Sequence, residues 1–233
     1  MVLTNMQSAA NAGLPYSLRK GLLIGVLLAL ALVITGRLFA PAMSLISTAA
    51  GLTILLIYGV LAAFCPIRLH HRHPDILRLG TLFGLAAGAV FAGEMIAEYI
   101  LLPRNNSVYG LVEFGVVLML YVGSGFVSGL RSLSLKNAML SSVATAFIAS
   151  LIWVICVLAV FYAFHGSGRQ TLVLRAEGDY DDFARSGMSD FNAFIMEDFM
   201  GATFFHLLLG PLVGAVLGIV GCFLGKVVTS RRT

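Results

Sequence analysis

Three glutamates and one histidine stand inside long apolar runs, where a charge is most expensive. Glu94 and Glu98 lie one helical turn apart in the run 79–102, Glu113 near the start of 109–130, and His206 near the start of 201–225. An ionisable group within a membrane span is costly unless partnered, and by default it marks a functional site. Four such groups at converging depth can relay a proton, hold a cation or ligate a metal. Glu98 lies about 7 to 8 Å below Pro103 at helical rise, where a carboxylate also snorkels to the interface or caps a neighbouring helix. Glu94, a turn deeper, requires a buried partner. For His206, a hydrogen-bonded histidine inside a bundle is the competing explanation. An intramembrane metalloenzyme would need a paired ligand motif such as H-E-x-x-H, and the chain has none.

The helix carrying Glu94 and Glu98 looks like the organiser of the chain. At about 100° per residue, both carboxylates share an arc with Gly80, Gly84, Ala87 and Phe91. Gly80, Gly84 and Gly88 are spaced by four, the small-xxx-small pattern that lets helix backbones approach closely in lipid. Gly210, Gly214 and Gly218 begin a comparable glycine zipper that runs on to Gly225 in the last span, where Pro211 permits a bend. In 109–130, Glu113, Val117, Tyr121, Ser124 and Ser128 fall on one arc, a polar seam along an apolar rod. The fifth span answers with Ser142, Thr145, Ala149 and Cys156 on one side, Trp153 lying near that stripe.

Composition sets the class. Of 233 residues, 59% are hydrophobic and 11% charged, whereas soluble domains carry about a quarter charged. The expected fold is all-α: a polytopic membrane protein of six transmembrane helices, with the bilayer as its main partner. The net charge of +4 comes from bases at helix ends, which argues against nucleic acid. Cys65, Cys156 and Cys222 lack metal-ligand spacing and read as free thiols. No nucleotide or cofactor motif is present, and nothing points to an enzyme.

Residues 1–18 read as a polar N-terminal tail, and 19–230 as one membrane domain with spans near 21–40, 44–65, 79–102, 109–130, 138–164 and 201–225. The first run ends at Ala40-Pro41-Ala42, a mimic of a signal cleavage site, but its length and Arg37 favour an uncleaved span. The tight connection at Pro41 makes spans one and two a hairpin. Ile67 to Asp75, with His70, His71 and His73, reads as a cationic interfacial loop touching lipid phosphates in preference to a metal site.

The segment 165–200 holds seven of the eleven acidic residues. Asp179-Tyr180-Asp181-Asp182 lacks the glycine and distal glutamate of a calcium loop, so a solvated acidic loop is expected. Within it, Ser189 can cap an amphipathic helix whose face is Phe191, Phe194, Ile195 and Phe199. Such a helix would lie on the membrane surface or lid the bundle. Sorting bases to alternate sides gives ten against five, which predicts both termini in the cytoplasm and the acidic segment outside.

Residues 84–92 and 210–218 echo one another in helices of opposite direction, the pattern of an inverted repeat. Phe83-Gly84-Leu85, Gly129-Leu130-Arg131-Ser132, Leu135 with Ala138, Ser186-Gly187-Met188-Ser189 and the small-residue last span also form a layout. Over about residues 79–226 that layout resembles an uncharacterised family of small bacterial membrane proteins, a domain of unknown function. The first two spans fall outside it. The resemblance implies a bacterial inner-membrane protein and no particular activity. Two functions compete: an accessory protein whose glycine-rich helices pack with partners or copies of itself, and a small proton- or cation-coupled transporter or channel using Glu94 and Glu98.

Overall fold

The computed structural model describes residues 2–101 and 107–230, with side chains placed for 14–101 and 110–230. Arg104 and the rest of the connection after Leu101 lie outside the described residues. Within the described residues the chain is helical, without a strand, and six helices are long and apolar enough to cross a membrane. These are α1 (Val2–Phe39), α2 (Leu45–Arg72), α3 (Pro74–Leu101), α4 (Ser107–Ser132), α5 (Leu135–Ala163) and, after the short α6 (Gly168–Glu177) and α7 (Asp179–Ser186), α8 (Phe191–Ser230).

Local chemistry explains where the helices begin and end. Arg37, late in α1, donates to the Pro41 and Met43 carbonyls and pins the hairpin into α2. Ser44 caps α2 with its side chain, and the Ser44 N–H donates to Glu197 of α8 at 2.6 Å. α3 opens with Pro74, which has no N–H to orphan, and Asp75, which suits the positive end of the helix. Ser134 caps α5 and Ser167 caps α6. Gly178, at φ +92°, closes α6 in the left-handed region that only glycine enters freely.

Not α3 but α5 is the central helix. Over half of its spanning window is buried, 56% against 44% for α3. The two glycine series explain why, since both are spent on α5. A Cβ on Gly80 would stand 2.6 Å from Ala144, one on Gly84 2.8 Å from Ile148, and one on Gly88 2.4 Å from Ile152. Gly210, Gly214 and Gly218 close in the same way on Ser150, Ala146 and Ser142, in the opposite direction along α5. Gly218 and Gly221 also meet the backbone of α4 at Gly125. Thus α3 and α8 run antiparallel against two sides of one rod, and α4 fills the space beside them.

Three expectations need correction. Residues 67–75 are not a loop: α2 passes through Pro66 to Arg72, His73 is its C-cap, and α3 starts at once. The basic last turn, His70 to Arg72, favours that extension by complementing the negative helix end. Residues 191–199 do not form a separate surface helix, because α8 starts at Phe191 and continues unbroken to Ser230. Asp190, and not Ser189, caps it, accepting from the Ala193 N–H at 3.1 Å. The apolar face of that first stretch packs against the protein, Ile195 buried and the three phenylalanines half-buried: Tyr180 stacks on Phe191 at 4.6 Å, Phe183 meets Phe194 and Phe161 meets Phe199. Aromatic partners from α5 and α7 cover part of the face that the amphipathic pattern marked as apolar. Residues 2–18, read as a tail, belong to α1, consistent with the helix-forming Ala9, Ala10 and Ala12.

Candidate functional site

The end of α3 that carries Glu94 and Glu98 is held from above. Arg169 of α6 donates to the carbonyls of Tyr99 and Ile100 at 3.1 and 2.6 Å. These are among the last carbonyls of the helix, which lack partners along their own chain. The guanidinium therefore fixes the α3 terminus and draws α6 over it.

Glu113 occupies the inward face of α4 together with Val117, Tyr121, Ser124 and Ser128, all of them buried. The polar seam anticipated from spacing is the face α4 turns to its neighbours. Glu113 is only 8% exposed, and neither of its carboxylate oxygens has a hydrogen-bond donor among the described residues. The group facing it is another acid, the Glu94 carboxyl. A Cβ built on Gly110 would lie 3.9 Å from Glu94 Oε1, so that side chain points to the start of α4. Glu98, one turn outward, acts on both as a further negative charge.

Outward from this pair the acids continue. The Glu98 carboxyl meets Glu177 at the end of α6, and Glu177 meets Asp179 at the start of α7. Glu177 is an exposed residue, but its carboxyl is turned toward α3, and loss of water there, with Glu98 and Asp179 beside it, pushes it up to about 9. Asp179 is pushed up to about 6, first by partial burial and then by the Asp198 and Asp182 charges. Both groups therefore bind protons far more readily than free carboxylates.

Inward from the pair lies a cavity of 260 Å³ between α4 and α8, with Phe91, Val117, Tyr121, Ser150 and His206 on its wall. Phe91 precedes Glu94 by three residues and Val117 follows Glu113 by four, so these walls lie about one turn, roughly 5.4 Å, deeper, while Phe114, next to Glu113, brings the cavity up beside the pair. His206 stacks on Trp153 at 3.8 Å and meets the edge of Phe91 at 6.0 Å. The structure thus places His206 one layer below the glutamates and not among them. Deeper still, Ser124 and Ser141 share a hydrogen bond of 2.7 Å, Thr145 donates to Ser124 at 2.9 Å, and Ser142 donates to the Tyr121 carbonyl at 2.8 Å. From Glu113 to Ser128 this polar line covers about 22 Å at helical rise.

Glu94, Glu98 and Glu113 are brought together, His206 is brought near, and Glu177, Asp179 and Ser150 join them unannounced. The acidity of 165–200 was visible in sequence, but nothing in it tells that α6 folds back across α3. The six glycines of the packing series, in contrast, serve contacts within the chain. Among the described residues, no three His, Cys, Asp or Glu side chains gather closely enough to hold a metal ion. The carboxyls are instead strung in successive pairs, the arrangement suited to passing a proton from one to the next. Comparison with protein-family models, with characterised proteins and with solved structures returns no match for this chain.

Proposed function

We propose that this membrane protein moves protons, as a small proton channel or proton-coupled transporter, along the line from Asp179 through Glu177, Glu98 and the Glu94–Glu113 pair to the His206 cavity. The observation that carries the reading is Glu113: a nine-tenths buried carboxyl with no donor, facing a second carboxyl. Such a group costs stability and is kept where the chemistry uses it. Hydroxyls of Tyr121, Ser150, Ser124 and Thr145 continue the line, each able both to accept and to donate. The glycine faces that suggested docking to other chains are occupied by α5, which removes the main argument for a purely accessory role. In this reading the acidic end faces outward and both termini face the cytoplasm of a bacterial cell, in line with the bias of basic residues.

The test is proton flux into liposomes holding the purified chain, driven by a potassium diffusion potential and read with an internal pH dye. Flux is expected from the wild type and its loss from Glu113→Gln and from Glu94→Gln/Glu98→Gln. Equal flux from all three proteins, or none above empty liposomes from the wild type, defeats the proposal.

A further inference from the structure

At the opposite end of the bundle from most of the acids lies a cavity of 790 Å³, open between α1, α2, α3 and α5. Its floor is apolar, made by Leu22, Leu61, Val143 and Phe147 among others. Its rim is not. Arg68 and Arg72 from the end of α2 and Lys136 from the start of α5 stand around the mouth, with His71 and His73 beside them. No carboxylate lines the cavity, and none of the three strong bases makes a salt bridge among the described residues, where the one such bridge is Arg185 with Asp182.

An apolar slot under three uncompensated cations fits an amphiphile with a hydrocarbon chain and an anionic head. Its volume falls within the roughly 300–1,000 Å³ of ordinary small-molecule sites. Basic pockets between transmembrane helices at the membrane surface recognise anionic headgroups in this way. The helix geometry sets the rim. α2 runs past Pro66 for a further turn and a half, so Arg68 and Arg72 share one side of a rigid helix, four residues apart. Ser134 caps α5 and holds Lys136 in its first turn on the facing wall.

We propose that this groove is a binding site for an anionic phospholipid, with the acyl chain against Val143 and Phe147 and the phosphate between Arg68, Arg72 and Lys136. It is independent of the proton line, sharing no residue with it. The bases set selectivity for charge and the floor sets affinity for the chain.

The experiment is native mass spectrometry of the full detergent-purified chain, titrated with phosphatidylglycerol or with phosphatidylcholine of the same acyl chains. At about fivefold per basic residue near the surface, the three bases favour phosphatidylglycerol by roughly 100-fold at low salt. The variant Arg68→Gln/Arg72→Gln/Lys136→Gln is expected to lose that preference while still binding both lipids weakly. Val143→Trp, which fills the floor, is expected to lose both. Should Val143→Trp fail to fold by circular dichroism, the rim variant decides alone, since its side chains lie at the mouth. Equal binding of the two lipids by the wild type, or a preference that survives in the rim variant, overturns the proposal. So does displacement of bound phosphatidylglycerol by millimolar inorganic phosphate, which would make the rim a simple anion site.

Discussion

The Tyr58 hydroxyl of α2 donates a hydrogen bond of 2.8 Å to the carbonyl of Leu207 in α8, both groups being buried. Leu207 is four residues before Pro211, so its carbonyl is the one that proline leaves without a helical donor. In lipid such a carbonyl has no water to turn to. The side chain of one helix thus completes the backbone of another. Tyr58→Phe is expected to lower stability by about 1–3 kcal/mol, the cost of stranding a buried acceptor. Pro211→Ala restores an N–H at the right place, so Tyr58→Phe should cost much less in that background. Thermal unfolding of the four proteins of this cycle in detergent measures the coupling. Additive losses would show that the hydrogen bond has no such role.

The glycine series make a second prediction, about stability in place of assembly. Gly84→Leu and Gly214→Leu push side chains into Ile148, Ala146 and α5 carbonyls less than 3 Å from the glycine Cβ positions. Each is expected to cost about 1–3 kcal/mol or more in the unfolding of a single chain. Gly21→Ala, with nothing within 4 Å of its Cβ, should be neutral or raise stability by up to about 1 kcal/mol through helix propensity. Unfolding midpoints at two protein concentrations separate this from an effect on oligomers, which would depend on concentration.

Glu113 supplies a third. Glu113→Leu removes a buried carboxyl without donors and replaces it with hydrocarbon of similar size. It is expected to raise the unfolding midpoint, by about 1–3 kcal/mol in stability, while abolishing proton flux. A variant both less stable and inactive would mean that the carboxyl is structural.

The outer acids give a pH dependence. Glu177 and Asp179 hold protons more tightly in the folded chain than in the unfolded one, with values near 9 and 6. The folded state therefore binds more protons between the ordinary carboxylate range and those values, and stability falls as pH rises through that window. The contribution is complete below about pH 4 and lost by about pH 9 for Glu177, and it is small because solvent screens this exposed residue. Amide exchange in α6 and α7 should quicken from pH 5 to pH 9 beyond its intrinsic rise. Glu177→Gln should flatten that excess, and an unchanged excess would exclude Glu177 as its source.

Much of this is written locally in the chain. The six apolar runs, the arc from Glu113 to Ser128 and the glycine spacing all follow from helical period, because each helix must hide its polar and small faces from lipid. What periodicity does not give is the identity of the neighbour. Gly84 and Gly214 announce close approach but not that both approach α5. Phe191, Phe194 and Phe199 announce an apolar face but not that Tyr180, Phe183 and Phe161 cover it. Glu98, Glu113 and His206 stand at similar distances from the ends of their apolar runs, but such distances do not fix relative height in the bundle, and His206 packs a layer deeper against Trp153 and Phe91. Glu177 is exposed, as a solvated acidic segment requires, but its nearness to Glu98 could not be seen because the two lie far apart in sequence.

The carboxylates gather at one end of the bundle and most of the bases at the other. Ten of the eleven carboxylates lie at or toward one end, Asp75 alone standing at the other with Arg68, Arg72, Arg78 and Lys136. The molecule is thus a permanent electric dipole along the axis of its helices. In an energised membrane, a unit charge crossing the whole potential is worth about 2.3 kcal/mol per 100 mV. A voltage negative on the basic side therefore favours the proposed orientation, and along the proposed proton line the same voltage would draw protons from the acidic end toward the bases. On that proposal, orientation and driving force come from one field.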